Sequence, residues 1–163
     1  MSAKRLPEWS AVESVFMDMD IVTLKREVEH LIRVLPHAEA FLTRARSKGK
    51  RLVLVTNAHA DVLDLKLEHT RIESHFDRIV SSHDLGHPKE TAEFWHRLQE
   101  TEPFDTQTTL LADDSLPVLR AARGYGIRHV VAMRKPDSQR PARDMGDFPA
   151  IETLAELLPD EQD

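Results

Sequence analysis

VFMDMDIVTL, residues 15–24, carries an apolar run straight into two carboxylates spaced one apart, and then turns apolar again at Ile21. An unbroken apolar run of this length suits a strand buried on both faces, as in a parallel sheet. Ser14–Met17 therefore reads as a strand whose carboxyl end carries Asp18 and Asp20. Four further runs have the same character: Arg51–Val55 (RLVLV), Arg78–Val80 (RIV), Thr109–Ala112 (TLLA) and His129–Ala132 (HVVA).

Segments with helical spacing lie between and after them. Leu24–Val34 repeats Leu24, Val28, Leu31 and Ile32 behind Thr23 as N-cap, and Pro36–Lys48 stops at Gly49. Asp61–His69, Ala92–Glu100, Pro117–Tyr125 and Ile151–Leu158 complete the set. Strands alternating with helices predict an α/β fold, a three-layer α/β/α arrangement around a doubly wound, mostly parallel sheet. Met133–Phe148, with two prolines and many charges, reads as a polar surface loop, and nothing divides residues 1–163 into two domains. A chain of 163 residues is long enough to bury a substantial core as one domain.

Composition narrows the function. A net charge of −6 weighs against a nucleic-acid polymer as partner, because phosphate backbones call for a basic footprint. No run reaches the roughly 18 apolar residues of a membrane span, and MSAKRLPEWS lacks the apolar stretch of a secretory signal. Cysteine is absent, which removes disulfides, thiolate metal sites and a cysteine nucleophile, and a cytoplasmic location is expected. Nine histidines do not make a zinc site without a third ligand at suitable spacing. Phe94 and Trp95 fit a core better than a base-stacking platform. The sequence does not fix an oligomeric state.

In open α/β sheets, ligands bind beyond the carboxyl ends of the strands. Four successive strand ends or following loops carry distinctive polar residues here: Asp18 and Asp20, then Thr56 and Asn57, then Lys89, then Asp113 and Asp114. Each alone is ordinary: a polar loop, a turn, a solvated lysine, a helix cap. Together they would crowd four carboxylates at one mouth, where ionised forms repel and need compensation. Mg²⁺ supplies it, since it takes oxygen ligands and binds through carboxylates plus substrate phosphate. A lysine and a hydroxyl facing that cation suit the remaining phosphoryl oxygens, so the set points to metal-assisted phosphoryl transfer.

The order DxD, Thr, Lys, DD resembles the haloacid dehalogenase (HAD) superfamily, whose core is Rossmann-like. LVTNAHADVLDLKLEHT (Leu54–Thr70), FDRIVSSHDLGHPKE (Phe76–Glu90) and LLADDSLPVLRAARGYGIRHV (Leu110–Val130) look like its bacterial GMP/IMP 5′-nucleotidase branch. The resemblance implies a small phosphorylated substrate, a purine mononucleotide among them. It makes Asp18 the nucleophile and Asp20 the general acid/base. It makes Thr56, Asn57 and Lys89 the phosphate-binding set, with Lys89 also balancing charge in catalysis. It gives Mg²⁺ to Asp18, Asp113, Asp114 and the Asp20 carbonyl, with Asp114, followed by Ser115, the better match of the acidic pair.

One departure stands out. Family members normally follow the second aspartate with Gly-Thr, a flap and often a cap domain. Here Ile21 follows, a β-branched residue that resists positive φ, and TLKREVEHLI (Thr23–Ile32) looks like the segment after the cap. The cap region is thus missing between Asp20 and Ile21, either because the core is truly shortened or because two pieces of a longer chain are joined there. A cap-less, catalytically impaired binding or scaffold protein is the alternative to an enzyme. A phospho-accepting receiver domain is disfavoured, because its acidic pair comes early and here it comes last.

Overall fold

The computed structural model describes residues 5–18, 22–23, 33–35, 37–134 and 143–158, with residues 22, 23 and 33 as backbone alone. The central strand β1 is Ser14–Met17, flanked by β4 (Arg51–Thr56) and β6 (Thr109–Asp113). Outside these lie β5 (Arg78–Ser81) next to β4, and β7 (His129–Met133) and β8 (Ala150–Ile151) beyond β6. The order is β5-β4-β1-β6-β7-β8 and every pairing is parallel. Side chains alternate strictly between the faces, as a two-residue period demands. Val15, Met17, Leu52, Leu54, Leu110 and Ala112 enter one buried cluster, whereas Phe16, Val53, Val55 and Leu111 enter the other. The predicted strand runs were continuous because both faces are covered.

The covering helices make the three layers. α1 (Ala38–Ser47) and α2 (Ala60–Thr70) bury Phe41, Leu42 and Leu63 against the first face. α4 (Ala92–Thr101) and α5 (Leu116–Tyr125) bury Phe94, Trp95, Leu98, Val118 and Leu119 against the second. Phe94 and Trp95 are core, as expected. Thr91 caps α4 by accepting from the Phe94 amide, and Gly126 ends α5 at φ 116°. α2 instead ends on Arg71 at φ 53°, a left-handed conformation that side chains adopt at a cost. Arg71 is exposed. Arg71→Gly is therefore expected to raise stability by about 1 kcal/mol, readable as a higher thermal midpoint.

Several short elements differ from expectation. Residues 24–32 of the predicted helix Leu24–Val34 lie outside the described residues. Its last two, Arg33–Val34, form β3, antiparallel to β2 (Val22–Thr23), so Thr23 is a strand residue rather than an N-cap. The predicted helix Ile151–Leu158 is replaced by β8 and one 3-10 turn, Leu154–Leu157. Thr153 and Glu156 do form a capping box there, a start signal without the length to follow it. A four-residue helix, α3 (Ser82–Leu85), was not foreseen. Residues 135–142 of the expected surface loop lie outside the described residues. At its end, Met145 and Phe148 are buried against the second core face, with Arg123 stacked over the Phe148 ring, so that part is packed rather than a free surface loop.

Candidate active site

From β1 the chain moves outward to β4 and β5, then crosses to β6, β7 and β8 on the other side. The order therefore reverses between β1 and β6, where α/β sheets open a crevice for ligands. Asp18 follows β1 directly, and Asp113 ends β6 with Asp114 beside it. Next to β1 on the other side, β4 ends at Thr56. These residues, with Lys89, line one cavity of about 240 Å³.

Lys89 is the hub. It is 2% exposed and donates to Asp18 Oδ1 at 2.8 Å, Asp113 Oδ2 at 2.7 Å and the Val55 carbonyl at 3.3 Å. An ammonium has three N–H donors, and all three are engaged. Burial pulls its pKa down, but the Asp18 and Asp113 carboxylates outweigh that and raise it above the ordinary lysine value. Asp113 is pushed up to about 7, first by burial and then by Asp18, against the opposing pull of Lys89 and the Ser115 amide.

The two acidic neighbours are not equivalent. Asp113 is 1% exposed and accepts from Lys89 on Oδ2 and from Ser115 N on Oδ1. Among the described residues, the Asp114 carboxylate has only a long 3.5 Å contact from Arg143, while that guanidinium donates to the Asp114 carbonyl at 2.8 Å. Asp114 thus keeps more open acceptor capacity. One oxygen each from Asp18, Asp113 and Asp114 lie within 4.8 Å of one another. An all-oxygen, largely buried, surplus-negative donor set of this kind fits a hard divalent cation such as Mg²⁺.

Thr56 is 1% exposed, and its hydroxyl accepts from the Ala58 amide at 2.9 Å, so its own proton remains to donate. Asn57 also borders the cavity, but its side chain is committed to the segment that carries Lys89. Its Oδ1 accepts from Lys89 N at 3.0 Å, and its Nδ2 donates to both Glu90 oxygens at 3.0 and 3.2 Å. These bonds tie Asn57 to the loop that carries Lys89. Asn57→Ala is expected to cost about 1–2 kcal/mol in denaturant unfolding and to speed hydrogen exchange at the Lys89 amide. Unchanged exchange there would contradict this role.

Asp20, the predicted acid/base, lies outside the described residues. Among the histidines, His59 and His83 are exposed but stack at 4.1 Å, and His83 Nε2 approaches the Asn57 carbonyl at 3.1 Å, so they brace the rim. The cavity lining also includes Ala58, Lys66, Glu90, Ser115 and Val118, which were not among the predicted site residues. Lys66 of α2 is 8% exposed and lines the cavity from the helix side. Its signal was present: Leu63, Lys66 and Leu67 share a helix face, and a lysine interrupts the stripe.

Residues 9–132 match the sequence model of the haloacid dehalogenase-like hydrolase family. The chain is 32% identical over 143 residues to the GMP/IMP nucleotidase YrfG of Escherichia coli (strain K12), covering 88% of this chain and 64% of that protein. It is 30% identical over 128 residues to a phosphoserine phosphatase of Thermus thermophilus, covering 76% of this chain and 51% of that one. The chain thus spans less than two thirds of either relative. Its fold is similar to the crystal structure of CbbY from Rhodobacter sphaeroides in complex with phosphate, with a TM-score of 0.69 at 14% identity over 90% of this chain and 96% of that one.

Proposed function

The chain belongs to the haloacid dehalogenase-like hydrolase family, and on that premise we propose that it is a Mg²⁺-dependent phosphomonoester hydrolase working through an aspartyl phosphate. Small phosphate esters are its substrates, purine 5′-nucleotides of the GMP or IMP kind foremost, in keeping with the likeness to a GMP/IMP nucleotidase. A cytoplasmic setting goes with a cysteine-free chain. The observation that carries the reading is the Lys89 ammonium bonded to both Asp18 and Asp113 at the switch point, beside a hydroxyl that can still donate.

Asp18 is the nucleophile. Its carboxylate attacks phosphorus, the bond to the ester oxygen breaks, and Asp20 protonates that leaving oxygen. Water then attacks the phosphorus of the aspartyl phosphate, Asp20 takes its proton, and Asp18 leaves as a free carboxylate with inorganic phosphate. Lys89 fixes Asp18 and offsets negative charge as it builds, rather than offering a spare donor to the substrate. The Thr56 hydroxyl donates to a phosphoryl oxygen. Asp18, Asp113, Asp114 and the Asp20 carbonyl would hold Mg²⁺, with Asp114 the more available of the acidic pair, and the ion would neutralise phosphoryl charge. At about 240 Å³ the cavity suits a phosphoryl group and the start of its ester, leaving a base to contacts outside it.

Release of phosphate from GMP, IMP, phosphoserine and p-nitrophenyl phosphate, with Mg²⁺ and with EDTA, tests the reading. We expect Mg²⁺-dependent release, with GMP and IMP ahead of phosphoserine. Release from none of the four with Mg²⁺ present would favour the binding or scaffold alternative instead. Phosphoserine ahead of both nucleotides would overturn the substrate assignment alone.

A further inference from the structure

Lys66 stands where its helix calls for an apolar side chain. Leu63, three residues earlier on the same face of α2, is buried in the core, and Lys66 is buried beside it at 8% exposure. Its stem is buried while its ammonium keeps access to solvent, as long charged side chains commonly do. Among the described residues the Lys66 side chain has no hydrogen-bond or ion-pair partner, and the Thr70 hydroxyl donates to its carbonyl at 2.6 Å. What it lines is the cavity that holds Asp18, Thr56, Asp113 and Asp114.

The charges around that cavity decide what Lys66 is for. Lys89 has spent its three donors on Asp18, Asp113 and Val55. Arg143 is turned to the Asp114 carbonyl and carboxylate. Among the described residues, an anion entering the cavity therefore meets one lining cation with donors to give, on the helix side, while the Glu90 carboxylate of the same lining is held by Asn57 Nδ2. A leucine or methionine would fill this register as well, so the charge serves the cavity rather than the packing.

We propose that Lys66 is a substrate-binding residue whose ammonium takes the non-bridging oxygens of the incoming phosphate group. This rests on the hydrolase reading and adds to it a residue that neither the aspartates nor Lys89 can replace. A phosphate monoester dianion is the ligand class, since its spare oxygens match a donor-rich point charge. The contact forms with substrate and persists through reaction, so it acts on binding more than on turnover.

The test measures inorganic phosphate affinity by titration calorimetry in Mg²⁺ buffer for the parent, Lys66→Met, Lys66→Gln and Lys66→Arg. Thermal melts run alongside, as do steady-state rates on p-nitrophenyl phosphate. We expect Met and Gln to weaken phosphate binding and raise KM ten- to a hundredfold with a smaller change in kcat, and Arg to recover part of the affinity. Melting temperatures should stay level or rise with Met, which a purely structural lysine would not allow. If the parent turns over substrate while Met and Gln bind phosphate as it does, the Lys66 proposal falls and the hydrolase reading stands. If the parent binds phosphate without turnover and the variants bind it less, the anion site stands and the hydrolase reading falls. A parent that neither binds nor hydrolyses overturns both.

Discussion

Asp18→Asn is expected to reduce phosphate release by at least about 10⁴-fold while leaving a folded protein. The amide has the shape of the carboxylate but not its nucleophilic oxygen, so the covalent step is removed at its origin. The fold should survive because the amide carbonyl can still accept from Lys89, which now reaches Asp18 at 2.8 Å. The substitution also withdraws one negative charge from a buried group whose neighbour, Asp113, is already held up to about 7 by burial and by Asp18 itself. Denaturant unfolding in EDTA should therefore show a variant close to the parent in stability, and inorganic phosphate should still bind. Initial rates on p-nitrophenyl phosphate decide the matter. A variant that turns over as fast as the parent would remove Asp18 from the nucleophile role and leave the cluster as a cation site only.

The sequence revealed most of the frame because burial on both faces leaves a strong trace. β1, β4, β6 and β7 were visible as apolar runs, and each proved to be sandwiched between helices. What stayed hidden was short or set by distant pairing. The two residues of β8 carry no period of their own and are placed by β7, where Ala132 pairs with Ala150 and Met133 with Ile151. The same holds for β2 and β3, which define one another through Val22 with Val34 and Thr23 with Arg33. α3 depends on a single turn after Ser81, whose hydroxyl accepts from the His83 amide. The site divides in the same way. Residue types at strand ends were legible, but bonding was not. Nothing in DD distinguishes the aspartate tied to Lys89 and Ser115 from its more open neighbour, and nothing in TN says that the asparagine serves Lys89 and Glu90. Lys66 was legible as a charge in an apolar stripe, a signal that counts only once α2 is known to border the cavity.

Lys89→Met should be the most destabilising single change at the site, and its cost should depend on pH. The ammonium is the direct partner of two carboxylates that are 7% and 1% exposed, Asp18 and Asp113. Removing one member of a buried ion pair costs about 3–5 kcal/mol, because the remaining charge is left without compensation. Asp113 has an escape, since it can take up a proton. Lys89 is among the groups that hold its pKa down, so in the variant that pKa rises further above its already raised value. A carboxyl whose folded pKa lies above its unfolded one favours the folded state while protonated, and that stability is lost as pH rises through the folded pKa. The metal-free variant should accordingly lose much less stability near pH 5.5 than near pH 8.5. Adding Asp113→Asn should recover a large part of the loss at the higher pH by removing the stranded charge, a coupling that a double-mutant cycle in urea reads directly. Phosphate release should fall by about 10²–10³-fold even where the variant is folded, because charge on Asp18 and the phosphoryl group loses its fixed counter-ion. Equal destabilisation at both pH values, or no recovery in the double variant, would mean that Lys89 supports the fold through packing of its stem rather than through the charges it joins.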